Sequence, residues 1–284
     1  MKVEGLRFIV GNGCNYDCFY CHHEGYFKKD NYRTDKEKLK LLKEFTIKNN
    51  IKNISITGGE PFMYFDNTYQ ILQEFDDYNK TMNSNFSLAD KYYNQMKELK
   101  PLELHINLSS LNSDIHQSII KKEYLKQVLN NLELYKSTNH KICLNIVALK
   151  TYNDKELLRL YKYAIENNFT PRFLVFMPTN EEQKKYVMTI EDIMNMINAR
   201  VIINKYGYGL YKVKTGESEV DILKCLCDDR ECEICRKVTY MHITPDLNIK
   251  YCLQKNDVVK INYESVETIE ESFKEASKRL ELIK

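Results

Sequence analysis

"CNYDCFYCHHEG" (residues 14–25) sets Cys14, Cys18 and Cys21 in a C-x3-C-x2-C spacing with aromatic residues between them. Three thiols this close are bridged, bound to zinc, or holding something redox-active. A structural zinc site closes with four donors and usually shows paired C-x2-C knuckles. Only three thiols gather here, although His22 and His23 are adjacent and could complete a zinc shell. A compact odd set instead suits a four-iron cluster with one iron lacking a protein ligand, and an open metal position is what chemistry requires.

The other cysteines sharpen the choice. The chain of 284 residues has nine; Cys143 stands apart, and Cys225, Cys227, Cys232, Cys235 and Cys252 form a second group about 200 residues downstream of the first. Clustered cysteines in a reducing compartment are metal-binding or catalytic more often than bridged, so two metal sites are expected rather than one disulfide framework. No secretory signal precedes the strand-like "LRFIV" (6–10), and no apolar run approaches the roughly 20 residues of a membrane span. A cytoplasmic location is the expectation. With 42 basic against 40 acidic residues, the net charge of +2 supplies no basic stripe for nucleic acid and no anchor for a membrane surface.

Outward from the cysteines, β-branched runs alternate with helix-length segments. "LRFIV", "NISITGG" (53–59), "KTMNSN" (80–85), "LELHINLSS" (102–110), "KICLNIVALK" (141–150) and "PRFLVFMP" (171–178) read as six strands. "KEKLKLLKEFTIKNN", "LADKYYNQMKELK", "HQSIIKKEYLKQVLNNLELYK" and "DKELLRLYKYAIENN" read as helices between them. Repeated β/α order predicts an α/β fold with a parallel sheet and outer helices, open or as a partial barrel, with functional groups at the C-terminal strand ends. After "MTIEDIMNMINAR" (188–200) the alternation stops. Short antiparallel pieces, one turning at "PDLN", and a closing helix follow, so the expected division is 1–195 and 196–284.

The cysteine spacing, with Tyr20 before the last thiol, and the "GGEP" of "SITGGEPF" (55–62) at the end of the second strand resemble the radical S-adenosylmethionine (SAM) superfamily. The resemblance implies a partial (β/α)6 barrel and a [4Fe–4S] cluster on Cys14, Cys18 and Cys21. It also implies SAM bound near Tyr20, Gly58, Gly59, Glu60 and Pro61, with the glycines admitting close backbone approach. Ser84, Asn85, Ser109, Asn145, Arg172 and Met177 fall at family-like positions on later strand ends, where ordinary cap or core roles are the alternative.

The second cysteine group, with Cys232, Cys235 and Cys252 in C-x2-C-x16-C, implies an auxiliary [4Fe–4S] cluster in a small twitch- or SPASM-like domain. Zinc is the alternative there, and Cys225 or Cys227 is a possible fourth ligand. Residues 5–255 resemble the GTP 3′,8-cyclase family of molybdenum-cofactor synthesis. At three places where that family carries basic residues for its nucleotide, this chain has Tyr64, Cys143 and the partial echo "CRKVTYMH" (235–242). A triphosphate needs several Arg or Lys donors, so a smaller polar or nucleotide-like substrate is expected, with Arg7 and Arg172 remaining for one small anionic group. The resemblance implies cyclisation, rearrangement or oxidation, fed by a one-electron donor such as flavodoxin or ferredoxin. Maturation of a ribosomal peptide, true GTP 3′,8-cyclase activity and a non-enzymatic metalloprotein are the competing readings. Cys143, on the Asn145 side of its strand, is the candidate catalytic thiol, with a small core residue as the plain alternative.

Overall fold

A computed structural model describes residues 3–22, 32–205, 209–216, 218–224, 239–252, 255 and 257–283. The six expected strands form as β1 (Val3–Ile9), β2 (Asn53–Thr57), β3 (Asn79–Ser84), β4 (Glu103–Asn107), β5 (Lys141–Ala148) and β6 (Thr170–Val175). Neighbours in this series all pair in parallel. Between them run α1 (Lys36–Lys48), α2 (Phe65–Glu74), α3 (Tyr93–Glu98), α4 (Ser113–Ile120), α5 (Leu125–Tyr135) and α6 (Leu157–Glu166). This is the partial (β/α)6 barrel that the superfamily resemblance implied.

One face of each strand is apolar and buried under the helices: Leu6 and Phe8, Ile54 and Ile56, Leu104 and Ile106, Leu144 and Ile146. A parallel sheet covered on both sides reads as continuous apolar runs. Here the alternate positions are polar, from Arg7 and Ser55 through Asn83, Glu103 and His105 to Arg172, so the inner face lines a site instead of packing a core.

The segment 116–136, expected as a single helix, is two. Lys121 adopts φ 60° and closes α4, and α5 begins four residues later. Lys carries no sequence signal for the left-handed region, which costs an L-residue about 1–2 kcal/mol. The break leaves the carbonyls of Ile119 and Ile120 without helical partners, and the cysteine loop uses both.

Beyond α7 (Ile190–Met196), the strands β7 (Val201–Lys205), β8 (Leu210–Thr215), β9 (Ser218–Lys224), β10 (Thr239–Ile243) and β11 (Ile249–Lys250) extend the same sheet at both sides. The order is β11-β10-β1-β2-β3-β4-β5-β6-β9-β8-β7. β10 joins β1 and β9 joins β6 in parallel, while β7, β8 and β11 run antiparallel to their neighbours. The turn at Pro245–Asn248 forms as expected, with Thr244 accepting and donating across it. The closing helix α8 (Val266–Glu281) packs on α1 by stacking Phe273 on Phe45, ring centroids 4.3 Å apart. Among the described residues no helix is long and apolar enough to cross a membrane.

Candidate active site

The chain leaving β1 is locked to the end of β2 by backbone alone. Gly59 N donates to Gly11 O at 2.8 Å and Glu60 N to Gly13 O at 2.9 Å. Gly58 has φ 136°, and a Cβ there would lie 2.4 Å from Gly11 O; one at Gly59 would lie 1.9 Å from Gly13 O. No side chain fits at either position. Tyr64 then covers this joint: its hydroxyl accepts from Gly13 N at 2.8 Å and its ring fills the space a Cβ on Gly11 would need.

From this joint the cysteine loop is carried to α4, where Asp17 N donates to Ile120 O and Phe19 N to Ile119 O. Aromatic rings seat its underside. Phe19 stacks on Tyr152 at 4.8 Å and meets Phe176 and Tyr186 edge-on, and Tyr16 stacks on Tyr124 at 5.5 Å. Cys14 and Cys21 are exposed, Cys18 is half-buried, and none is bridged. Tyr16 N and Asn85 Nδ2 both point donors at Cys14 Sγ, at 3.4 and 3.6 Å.

Burial first, and then the neighbouring thiols, push the Cys18 thiol up to about 12. Thiolates there need a cation to hold them. A single tetrahedral zinc would draw its sulfurs to about 3.8 Å of one another. Among the described residues, Glu103, His105 and Cys143 also bring candidate ligand atoms within 4.8 Å of one another. A cluster that takes each thiolate on a different iron spaces its ligands more widely. Three unbridged thiols on one loop are a donor set that fits a four-iron cluster with one iron left open.

Behind the thiols, Glu60 is fully buried and accepts from Ser84 Oγ and Asn85 N at 2.7 Å and from Phe62 N at 3.1 Å. Burial pushes its carboxyl up to about 7 against those three donors. Asn85 in turn donates to Asn15 Oδ1, and Asn15 donates to Ser87 Oγ. Tyr20 hydroxyl accepts from Asn107 Nδ2 at 2.6 Å and lies 3.4 Å from Ser109 Oγ.

Deeper on the inner face is a charged group. His105 Nε2 meets Glu103 Oε1 at 2.7 Å. Arg172 pairs with Asp221 at 3.5 Å and Glu103 at 3.7 Å, and Asp221 also pairs with Lys212 at 3.3 Å. Register explains the assembly: His105 lies opposite Cys143, Asn145 opposite Arg172, Arg172 opposite Asp221, and Asp221 opposite Lys212.

Residues 8–164 match the radical SAM superfamily. The chain belongs to the radical SAM superfamily. Its cofactors are accordingly a [4Fe–4S] cluster and SAM, and it is an enzyme of that class. It is similar to a GTP 3′,8-cyclase of Aliarcobacter butzleri, 31% identical over 182 residues, covering 62% of this chain and 56% of that one. A probable GTP 3′,8-cyclase of Methanocaldococcus jannaschii is 24% identical over 263 residues, 90% of this chain and 87% of the relative. In fold, the chain resembles Streptococcus suis SuiB bound to the precursor peptide SuiA, with TM-score 0.66 over 94% of this chain and 64% of that one, at 15% identity.

Within this radical SAM fold the candidate residues divide. Cys14, Cys18, Cys21, Tyr20, Gly58, Gly59, Ser84, Asn85 and Ser109 gather around the cysteine loop and its adjoining strand ends. Pro61 is buried at the start of a short 3-10 turn. Met177 is half-buried just past β6, and Asn145 Oδ1 lies 3.9 Å from Cys143 Sγ. Glu60 is fully buried, and its carboxylate braces the ends of β2 and β3 through Ser84, Asn85 and Phe62. Arg172 is paired through its guanidinium with Glu103 and Asp221. Cys252 is half-buried after β11, whereas Cys225, Cys227, Cys232 and Cys235 lie outside the described residues. Sequence reading missed Asn15, Ser87, Asn107, Glu103, His105 and Asp221. For Glu103, His105 and Asn107 the period-two alternation of "ELHIN" was an available signal.

Proposed function

We propose that this enzyme generates a 5′-deoxyadenosyl radical from SAM and abstracts hydrogen from a small polar or nucleotide-like substrate, leading to cyclisation, rearrangement or oxidation. The observation that carries the reading is the joint itself: a three-thiol loop clasped by the glycines of β2 and opening onto a polar strand face. When bound, a [4Fe–4S] cluster on Cys14, Cys18 and Cys21 supplies the electron that cleaves the sulfonium of SAM. The protein's part is positioning. The glycines at the end of β2 let backbone approach closely beside the thiols, suited to an ammonium group. Tyr20, Asn107 and Ser109 offer a polar rim, and the aromatic seat excludes water from the reacting edge.

The substrate is read from charge. Arg7, Arg172 and Lys212 on the inner face are set against Glu103 and Asp221, so the described residues leave little net positive charge for a triphosphate. Tyr64 and Cys143, at places where the cyclase family is basic, add none. A substrate with one modest anionic group, or none, suits this face better than GTP. The relatives' names support the cyclase reading, and the likeness to a peptide-bound fold keeps peptide maturation as a second one. We assign the second cysteine group, Cys225, Cys227, Cys232, Cys235 and Cys252, to an auxiliary [4Fe–4S] cluster, residues 196–284 to the region that carries it, and the enzyme to the cytoplasm.

Iron and sulfide analysis after anaerobic reconstitution tests the reading, with the Cys14/Cys18/Cys21→Ala triple variant alongside. About eight irons in the parent and about four in the variant, with 5′-deoxyadenosine formed by the parent alone, are expected. About four irons plus zinc in the parent would make the second site structural. Zinc alone, without SAM cleavage, would overturn the assignment.

A further inference from the structure

The inner face holds one thiol that the proposed chemistry leaves unused. Cys143 is fully buried on β5, on the same side as Asn145, and its sulfur lies within 4.8 Å of ligand atoms of both His105 and Glu103. Three ordinary roles are open to such a thiol, and the surroundings oppose each. A divalent ion on Glu103, His105 and Cys143 would sit against the Arg172 guanidinium, whose NH1 is 3.3 Å from His105 Nε2 and 3.5 Å from Nδ1. That near-equal spacing puts the cation across the imidazole, where it repels another. A nucleophile needs the thiolate and a proton donor needs a thiol that titrates near the working pH, yet burial pushes Cys143 up to about 12 and holds it as the neutral thiol. A disulfide has no partner here, since Cys143 is free. A plain core role is also a poor fit. Cys143 faces the polar side of its strand, whereas the apolar side of β5 is made by Ile142, Leu144 and Ile146.

What remains for a neutral thiol beside radical chemistry is one-electron chemistry, since an S–H bond is weaker than the C–H bonds it can form. We propose that Cys143 is the hydrogen-atom donor of this enzyme, handing its hydrogen to a carbon radical held on the inner face. The inference rests on the radical reading above. In the step, the S–H bond breaks homolytically and a C–H bond forms, leaving a Cys143 thiyl radical. One electron from the flavodoxin- or ferredoxin-class donor and one proton from solvent then restore the thiol. Glu103 is about one-third exposed and hydrogen-bonded to His105, so the pair forms the route for that proton. Arg172 Nε is buried and meets no acceptor among the described residues, leaving a donor beside the thiol for a polar group of the substrate. Such an enzyme returns a hydrogen to its substrate after removing one, so its net reaction is an inversion, a rearrangement or a reductive closure rather than a simple oxidation.

The test needs no knowledge of the substrate. The reconstituted full chain is incubated with SAM alone in D2O, with dithionite as reductant and no added thiol, and the 5′-deoxyadenosine is examined for deuterium at C5′. With no substrate in place, the deoxyadenosyl radical takes its hydrogen from the donor, whose S–D has exchanged with solvent. The parent should yield predominantly monodeuterated 5′-deoxyadenosine. Cys143→Ser keeps the shape and an exchangeable proton but has an O–H bond too strong to donate, and Cys143→Ala has neither. In both, the deuterated fraction per 5′-deoxyadenosine formed should fall at least tenfold. A parent product without deuterium, or label that persists in both variants, overturns the proposal and leaves the radical reading intact. Absence of 5′-deoxyadenosine from the parent removes that reading and the proposal with it. Metal analysis gives a second readout: Cys143→Ser should carry the parent's iron and zinc, and loss of one ion per chain would make the trio a metal site instead.

Discussion

At the residue scale, the site depends on positions where nothing larger than hydrogen fits. Gly59→Ala would drive a methyl group into Gly13 O, a backbone atom that cannot rotate away. We expect a loss of about 3 kcal/mol, read as a lower urea midpoint, together with loss of iron from the first cluster because the loop is no longer clasped. Glu60 is the other sensitive residue. Its folded carboxyl titrates near 7, above its ordinary range, because burial outweighs its three donors. Between about pH 4.5 and 7 the folded state therefore binds the proton that the unfolded state has released, so this group's contribution to stability falls as pH rises. Comparing parent with Glu60→Gln isolates the effect. The difference in unfolding free energy, parent minus variant, should decrease by roughly 3 kcal/mol between those limits; a difference independent of pH would contradict it.

At the element scale, the division of 116–136 into α4 and α5 has a functional consequence. A continuous helix would have used the Ile119 and Ile120 carbonyls internally. Ending α4 at Lys121 presents them to Asp17 N and Phe19 N, so the cluster loop rests on a helix terminus. At the other end of α4, Asn112 caps the helix by accepting from Asp114 N at 3.0 Å and Ile115 N at 3.1 Å. Asn112→Ala should cost about 1 kcal/mol in chemical denaturation. Because the loss is transmitted to the loop, hydrogen exchange at Asp17 and Phe19 should quicken while the β5 amides stay protected.

Across the whole molecule, Arg172 ties together strands that are far apart in sequence. It meets Glu103 of β4 and Asp221 of β9, and Asp221 reaches Lys212 of β8. Glu103 is held below the ordinary carboxylate range by the His105 hydrogen bond first and by Arg172 as well. Arg172→Met would leave two carboxylates facing each other without their shared cation. The pairs are partly hydrated, so the cost should be about 2 kcal/mol, below that of a dry ion pair. The Glu103 pKa should also rise, visible by NMR titration of the His105 ring. If neither stability nor that titration moves, the guanidinium is not the link between Glu103 of β4 and Asp221 of β9.

Local patterns were legible from the chain alone. Cys14, Cys18 and Cys21 lie within eight residues, the glycines at 58 and 59 mark a close approach, and six β/α units announce a parallel sheet. Each of these is a short-range feature, set by covalent spacing, steric freedom or the two-residue period of a strand. Tertiary structure decided the rest. Glu60 turned inward because the end of β3 presents Ser84 Oγ and Asn85 N to it, beside Phe62 N of its own turn, and Arg172 meets Asp221 because β9 lies beside β6. The later strands went to opposite sides of one sheet, a choice between free strand edges that no local run encodes. Charges far apart in sequence meet here: Arg172 lies in register with Asp221, 49 positions on, and reaches across β5 to Glu103, 69 positions back. That register depends on the packed helices behind the sheet, which is why the chemistry of the cysteine loop could be read early and the partners of the inner face only from the fold.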